Sequence, residues 1–402
     1  MYPECISSIS ELSSLCQNDD IIVYGTGKIG SLMISHLHRN TNLNILGATN
    51  SHVDRGNAGT FSDTGLPVRT PQEWYEQFPH AVILIATVRQ DFQFEIEEIC
   101  RRIGFQKILS VFGTVESELI SAQAKMLFSP ENKALVELLV LSASSYLVDW
   151  VCLANEIQDV HKASFAEFRG CHKNQSVALV GAGPSLNAYK QLEGIPHIGV
   201  NSAFLKPGIH LDYYFARDYQ SFRGKDGKPE ESWYNSLKDY QFVKFFGTAE
   251  WTSDSRRVYQ IPETLIEENH ARRFTIQVKR EFIHCDIEHY PLMGLGSIIF
   301  SAFHFALHTR PKRILLIGCD CSSAGHYDGS IGMSGSAGSF LVNSWKWVKD
   351  FTNRFYPGTE IISVNPVGLK GLFRDVYTEA YLKAHPEIDR SACELLDSAF
   401  FD

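Results

Sequence analysis

The sequence carries no excess of positive charge, no paired-cysteine framework, and no apolar run both long enough and free enough of charge for a bilayer. Lys and Arg number 37 against 46 Asp and Glu, a formal net charge of −9. That balance argues against general nucleic-acid binding, because neutralising phosphates needs basic surface. The nine cysteines contain no C-x-x-C, and Cys319 and Cys321 are separated only by Asp320. Such usage suits a reducing compartment and not a secreted disulfide scaffold, so the expected location is cytoplasmic. Met1 is followed by Tyr, Pro and Glu instead of a basic and then apolar segment, and no signal peptide is expected. The most apolar helical stretch, Ala134–Ala154, contains Glu137 and Asp149 and reads as a packed helix, so no transmembrane segment is expected. What remains is a chain of 402 residues, 44% apolar and 21% charged, the make-up of a soluble globular protein of about two domains.

The first 114 residues alternate short apolar runs with amphipathic segments. Residues 5–17 predict a short helix, Ile21–Tyr24 a buried strand, and Ile45–Ala48 a second strand. Thr70-Pro71 opens a helix through Trp74, and Ala81–Thr87 and Lys107–Val111 supply further strands. The alternation predicts a parallel, Rossmann-like sheet. Gly25, Gly27 and Gly30 form G-x-G-x-x-G after the first strand, a pattern that brings backbone close to a phosphate. The acidic ribose partner expected about twenty residues later is missing: Asn50 and Ser51 stand there, and Asp54 comes late. A nucleotide or sugar-nucleotide site and a retained scaffold both stay open, and redox use is not expected. Residues 115–170 have helical periodicity and predict a connector. It breaks at Phe128-Ser129-Pro130, and Leu135, Leu139, Tyr146 and Trp150 are its packing residues.

From residue 171 to 402 the sequence predicts a second parallel-sheet domain, so the fold class is α/β with two Rossmann-like domains joined by a helical connector. Its centre is SVALVGAGPSLN, residues 176–187. A buried strand ends in Gly181 and Gly183, and Pro184 suits the first position of a helix whose start would offer Ser185 and unpaired amides to an anion. A second strand ends in Asn201-Ser202 and a third in Asp218. Ligands of open parallel sheets bind outside the carboxyl ends of strands, so Asn201 and Asp218 should face the same crevice. Residues 222–280, rich in arginine and aromatics, read as long loops over that crevice. His284-Cys285-Asp286-Ile287-Glu288-His289 suggests a metal cluster only weakly, because no partner half-motif follows. Gly296-Ser297 precede an apolar helix ending near His308. Arg313–Ile317 is a further buried strand, which delivers Gly318 and Asp320 to the carboxyl edge; His326 and Tyr327 follow on a Gly/Ser-rich loop. Thr359–Val364 is a last strand, and the tail from Asp375 is expected to be helical.

Taken in order, GAGPSL at 181–186, Asn201-Ser202, DYYFARD at 212–218, GSIIFSAFHFAL from Gly296 and RILLIGCD closing on Asp320, then His326, resemble one superfamily. It comprises archaeal 6-hydroxymethylpterin diphosphokinase, the motility-associated-factor flagellin glycosyltransferases and the Campylobacter-type sialyltransferases. SVNPVG also resembles the sialyltransferases' final strand and its turn. The resemblance implies that Gly181, Gly183, Pro184 and Ser185 cradle a nucleotide phosphate, that Asn201 contacts the nucleotide, and that Gly296-Ser297 approach the ribose or donor. Asp320 and His326 match the G-x-D…H element of the diphosphokinase and flagellin-transferase branches. Two departures are clear: Ala182 stands where the sialyltransferases have asparagine, and the only later histidine is His385. The first domain, through YGTGKIG, GLPVRTPQEW and AVILIAT, resembles the small Rossmann-like modules that accompany polysaccharide-biosynthesis enzymes.

The expected activity is transfer of a nucleotide-activated sugar, with CMP-linked donors included, to a glycan or small-molecule acceptor. His326 would be the base, Asp320 its assistant, and Tyr327 would hold the leaving group. No separate cofactor is required on that reading. The alternative is pyrophosphoryl transfer from ATP, with Mg²⁺ held by Asp218 and Asp320. A non-catalytic nucleotide- or sugar-binding regulator is the third reading. The expected partners are a nucleotide or nucleotide-sugar and its acceptor, with a homo-oligomer left open.

Overall fold

A computed structural model describes residues 4–6, 8–51, 59–60, 64–87, 89–111, 115, 118–119, 160–217, 231–251, 256–258, 261–280, 283–330 and 335–396. Asp218, the break at 128–130, the four packing residues of the connector and, from the basic stretch 222–280, Arg223 and Lys225 lie outside the described residues. The chain divides into two compact units, Met1–Asp159 and Val160–Asp402. Each is an α/β unit built on a parallel sheet. Among the described residues no helix is long and apolar enough to cross a membrane.

The first unit holds β1 (Glu4–Ile6), β2 (Asp20–Tyr24), β3 (Asn44–Thr49), β4 (Gly59–Thr60), β5 (Pro67–Val68), β6 (Val82–Ile85) and β7 (Ile108–Val111). They pair in the order β1-β7-β6-β2-β3-β5-β4, parallel except for β4 on β5. Alternate residues of β2 feed opposite faces, as a two-residue period requires. Ile21 and Val23 join Met33, Ile34 and Leu37 on one side, while Ile22 and Tyr24 join Trp74 and Phe105 on the other. The helix Pro71–Gln77 begins with a reciprocal capping box, Thr70 Oγ1 accepting from the Glu73 amide and Glu73 Oε2 from the Thr70 amide. Residues 5–17, expected as one helix, divide into β1 and the helix Ile9–Leu15 capped by Ser8. Pairing with the edge of β7, Glu4 opposite Leu109, claims the first three residues for the sheet.

The second unit holds β8 (Ser176–Val180), β9 (His197–Val200), β10 (Tyr213–Ala216), β11 (Val243–Trp251), β12 (Arg256–Val258), β13 (Arg272–Gln277), β14 (Leu292–Met293), β15 (Arg313–Ile317), β16 (Glu360–Val364) and β17 (Arg374–Val376). Their order is β14-β13-β11-β10-β9-β8-β15-β16-β17, with β12 antiparallel on β11. Successive strands therefore step away from β8 on one side until β15 inserts on its other side. The order of the sheet reverses between β8 and β15. The helix Ile298–His308 is buried along its whole length, as its lack of a polar face demands. Phe305 of that helix meets Phe215 and Phe245 of the sheet. Phe165, on the segment just after Val160, stacks on Phe245 with ring centroids 5.3 Å apart.

Three expectations are corrected here. The described part of 222–280 is not all loop: β11 and β13 within it are core strands, with Phe245, Phe246, Phe274 and Ile276 fully buried. The tail from Asp375 first completes β17 and only then forms the helix Glu379–Ala384, whose Tyr381 and Leu382 pack with Ala188. Residues 284–289 are turns and bends, so their alternate side chains do not share a strand face. They form a hydrogen-bonded network instead. His289 Nδ1 meets Asp286 Oδ2 at 3.0 Å, Arg169 donates to Glu288 Oε1 at 2.6 Å, and the ring of His284 stacks on Tyr290.

Candidate functional site

Val180 and Ile317 end β8 and β15 as register partners, and beyond them the two chains run on together. The Gly181 amide donates to the Ile317 carbonyl at 2.8 Å, and the Gly183 amide to the Gly318 carbonyl at 2.8 Å. Glycine is required for this approach. A Cβ on Gly181 would stand 2.5 Å from the Gly318 oxygen, and one on Gly183 would stand 2.6 Å from Asp320 Cγ. Gly318 also has φ of +62°, where a side chain is strained in any case. The two strand ends thus close into a floor, and a crevice opens above it at the point of strand-order reversal.

Gly181, Gly183, Gly318 and Asp320 line that crevice, as do Asn201 from the end of β9, Ser297 and His326. Seven of the residues expected at the site therefore meet. Trp345 and Leu341, on the helix Gly335–Phe355, complete the wall; nothing in their sequence neighbourhood marks them, because Trp345 is placed by packing on Phe300 and Phe303 of the helix Ile298–His308. Cys319 and Cys321 line it too. Burial pushes the Cys319 thiol well up and the Cys321 thiol up to about 12, so both stay protonated and neither is an activated nucleophile.

The expected anion cradle at Ser185 is corrected. Pro184–Ala188 is a 3₁₀ turn of five residues, and the amides of Ser185 and Leu186 are already paired. The Ser185 amide donates to Asp320 Oδ2 at 2.8 Å, the Ser185 hydroxyl bonds Asp320 Oδ1, and the Leu186 amide donates to the Gly183 carbonyl. The anion at this turn is the protein's own carboxylate. Burial raises the Asp320 pKa, and the two bonds from Ser185 counter that rise. Each oxygen of Asp320 accepts one bond from Ser185, so this carboxylate fixes the turn.

A different helix start reaches the crevice. Ser297 is the N-cap of Ile298–His308, its Oγ accepting from the Ile299 amide at 3.4 Å, and Ser297 and Ile299 both line the wall. No acidic residue occupies the first turn, and the helix lies in an apolar surround, where its dipole is little screened. No Lys or Arg is among the described residues that line the crevice. Left-handed backbone gathers at this edge, with Asn201 at φ +51°, Cys321 at +48° and Gly296 at +84°. Two of these are not glycine, and such conformations persist only where the surroundings over-determine them.

His326 is half-buried on its loop, its amide held by the Ser330 carbonyl at 3.1 Å. Tyr327 is not a crevice residue: its hydroxyl donates to the Ser202 carbonyl at 3.0 Å and its amide to the Ala182 carbonyl at 2.9 Å. It pins the histidine loop to the ends of β8 and β9 and is not placed to hold a leaving group. Pro184, Ser185 and Gly296 stand behind or beside the lining. In the first unit, Gly25 has φ +131°, and a Cβ on Gly30 would overlap the Gly25 carbonyl, so these glycines are needed to seat the helix Lys28–Asn40. Asn50, in place of the acidic partner, donates to Thr26 Oγ1 at 2.6 Å. Among the described residues no three His, Cys, Asp or Glu come together to hold a metal ion. That includes the histidines near Asp286. No protein-family model, curated protein or solved structure matches the chain.

Proposed function

We propose that the second unit is a glycosyltransferase, binding a nucleotide-activated sugar in the crevice between β8 and β15 and passing the sugar to an acceptor hydroxyl. The observation that carries this reading is the convergence, at the point of strand-order reversal, of the Ser297 helix start and His326. In the reaction the acceptor oxygen forms a bond to the anomeric carbon while the bond from that carbon to the phosphate oxygen breaks. The acceptor proton goes to the His326 imidazole. The phosphate that leaves gains its charge opposite the Ser297 hydroxyl and the positive end of the helix Ile298–His308, near the newly formed imidazolium.

The donor set favours a CMP-linked sugar. Its single bridging phosphate asks for one charge to be met, which suits a wall whose described residues include no lysine or arginine. ATP carries more charge and calls for a metal clamp. Asp320, one of the two carboxylates considered for Mg²⁺, has both oxygens engaged by Ser185. Thermal-shift measurements with CMP, CDP, UDP, ATP and NAD, with and without Mg²⁺, test the reading. Selective stabilisation by CMP is the expected result; magnesium-dependent ATP binding would replace it with pyrophosphoryl transfer, and a shift with free sugar alone would replace it with a regulator. His326→Ala should lower turnover by about 10²–10⁴-fold with nucleotide binding retained. Unchanged turnover would remove His326 from the chemistry.

A further inference from the structure

Phe340 is an aromatic side chain 51% exposed, on the helix whose Leu341 and Trp345 form the crevice wall. Its ring lies over Gly296: a Cβ there would overlap Phe340 Cε1, and the φ of +84° likewise keeps that position a glycine. Gly296 is followed by Ser297, the cap that faces the crevice. On the other side of the same helix turn, a Cβ on Gly338 would stand 3.0 Å from the Cys321 carbonyl, beside another lining residue. The ring therefore lies beside the crevice, one part packed on the Gly296 backbone and the rest in water, on a helix whose Gly338 approaches Cys321.

We infer that Phe340 is the stacking platform for the nucleobase of the ligand, a residue that sets affinity for whichever base is bound. The inference rests on the reading of the crevice as a nucleotide site. A phosphate seated at Ser297 would lie one residue from Gly296, which the Phe340 ring covers, so the ring offers an exposed aromatic face beside the rest of the nucleotide. Stacking on an aromatic accepts any base by its π-face. It adds affinity without adding charge, which matches described lining residues that include no lysine or arginine.

The test compares the intact chain with Phe340→Ala and Phe340→Tyr, measuring dissociation constants for CMP and for inorganic pyrophosphate. Removing the ring should weaken CMP binding by about 5- to 150-fold, the ~1–3 kcal/mol of one base–aromatic stack. The same substitution should leave pyrophosphate affinity unchanged, and tyrosine should restore CMP binding. Because the ring is half exposed, its loss leaves the core packed, and circular dichroism checks this. If F340A binds CMP as the parent does, or loses CMP and pyrophosphate equally, the platform is overturned while the nucleotide reading stands. If the parent chain binds neither compound, the nucleotide reading fails first and the platform with it.

Discussion

Ser185 and Asp320 show how closely the floor of the crevice is specified. Two hydrogen bonds tie one carboxylate to one residue, and the glycine beside them leaves no space for a methyl group. Gly183→Ala would put its Cβ 2.6 Å from Asp320 Cγ and 2.8 Å from the Gly318 oxygen, and backbone on one side cannot yield. The expected cost is about 1–3 kcal/mol of unfolding free energy, measured by urea titration. An unchanged midpoint would show that the carboxylate has room to move. Asp320→Asn and Ser185→Ala should be coupled in a double-mutant cycle by about 1 kcal/mol or more, since each removes the other's partner. Additive effects would mean that the pair does not act as a unit. The sequence pointed to both residues as site residues yet misassigned their roles. A serine after Gly-Pro looks like the owner of a free amide until the carboxylate that fills it arrives from a strand end elsewhere in the chain.

At the scale of elements, the helix Ile298–His308 provides the sharpest separation of stability from binding. Aspartate is a good N-cap and a favourable charge at a helix start, so Ser297→Asp should keep the unfolding midpoint of the second unit. The same carboxylate would occupy the anion position, and the thermal shift with CMP should vanish. If CMP still stabilises this variant, its phosphate lies elsewhere. The strands with a short, largely apolar run were legible: β2, β6, β8, β9, β15 and β16 each bury such a run on both faces. β11 and β13 were not. β13 opens with Arg272 and Arg273 and is fully buried only from Phe274, while β11 includes Lys244 and Glu250. Charged residues at strand ends resemble loop composition, and what makes these segments strands is pairing with β10 and with each other. Trp345 and Leu341 escaped detection for the same reason. Trp345 is placed in the wall by packing on Phe300 and Phe303, and no local motif announces it.

Across the molecule, the second unit buries an unusual set of histidines. Burial lowers the pKa of His161 and His284 to about 4 and that of His304 to about 3, against an ordinary value of 6.5. Each is neutral when folded and takes a proton when unfolded at mildly acidic pH. Their contribution to stability is therefore full above about 6.5 and is lost as pH falls towards 4, at about 1.4 kcal/mol per pH unit for each group. Asp286 acts in the same direction at lower pH. Burial alone would raise its pKa, but His289 and Arg169 bring it to about 2, so its contribution is lost as pH falls below the usual carboxylate range. The second unit should unfold at clearly lower urea at pH 5.0 than at pH 7.5. An equal midpoint at both values would contradict the buried, neutral state of these rings.

The bond between Ser185 and Asp320 joins positions 135 residues apart, and it has a consequence for biosynthesis. A nascent chain can form β8, β9 and β10 as they leave the ribosome, but it holds no complete ligand site until Asp320 has emerged and β15 has slid in beside β8. Long-range pairings of this kind close late. Capture of a nucleotide would then act as a certificate of finished folding, granted only to chains that have threaded their last central strand correctly.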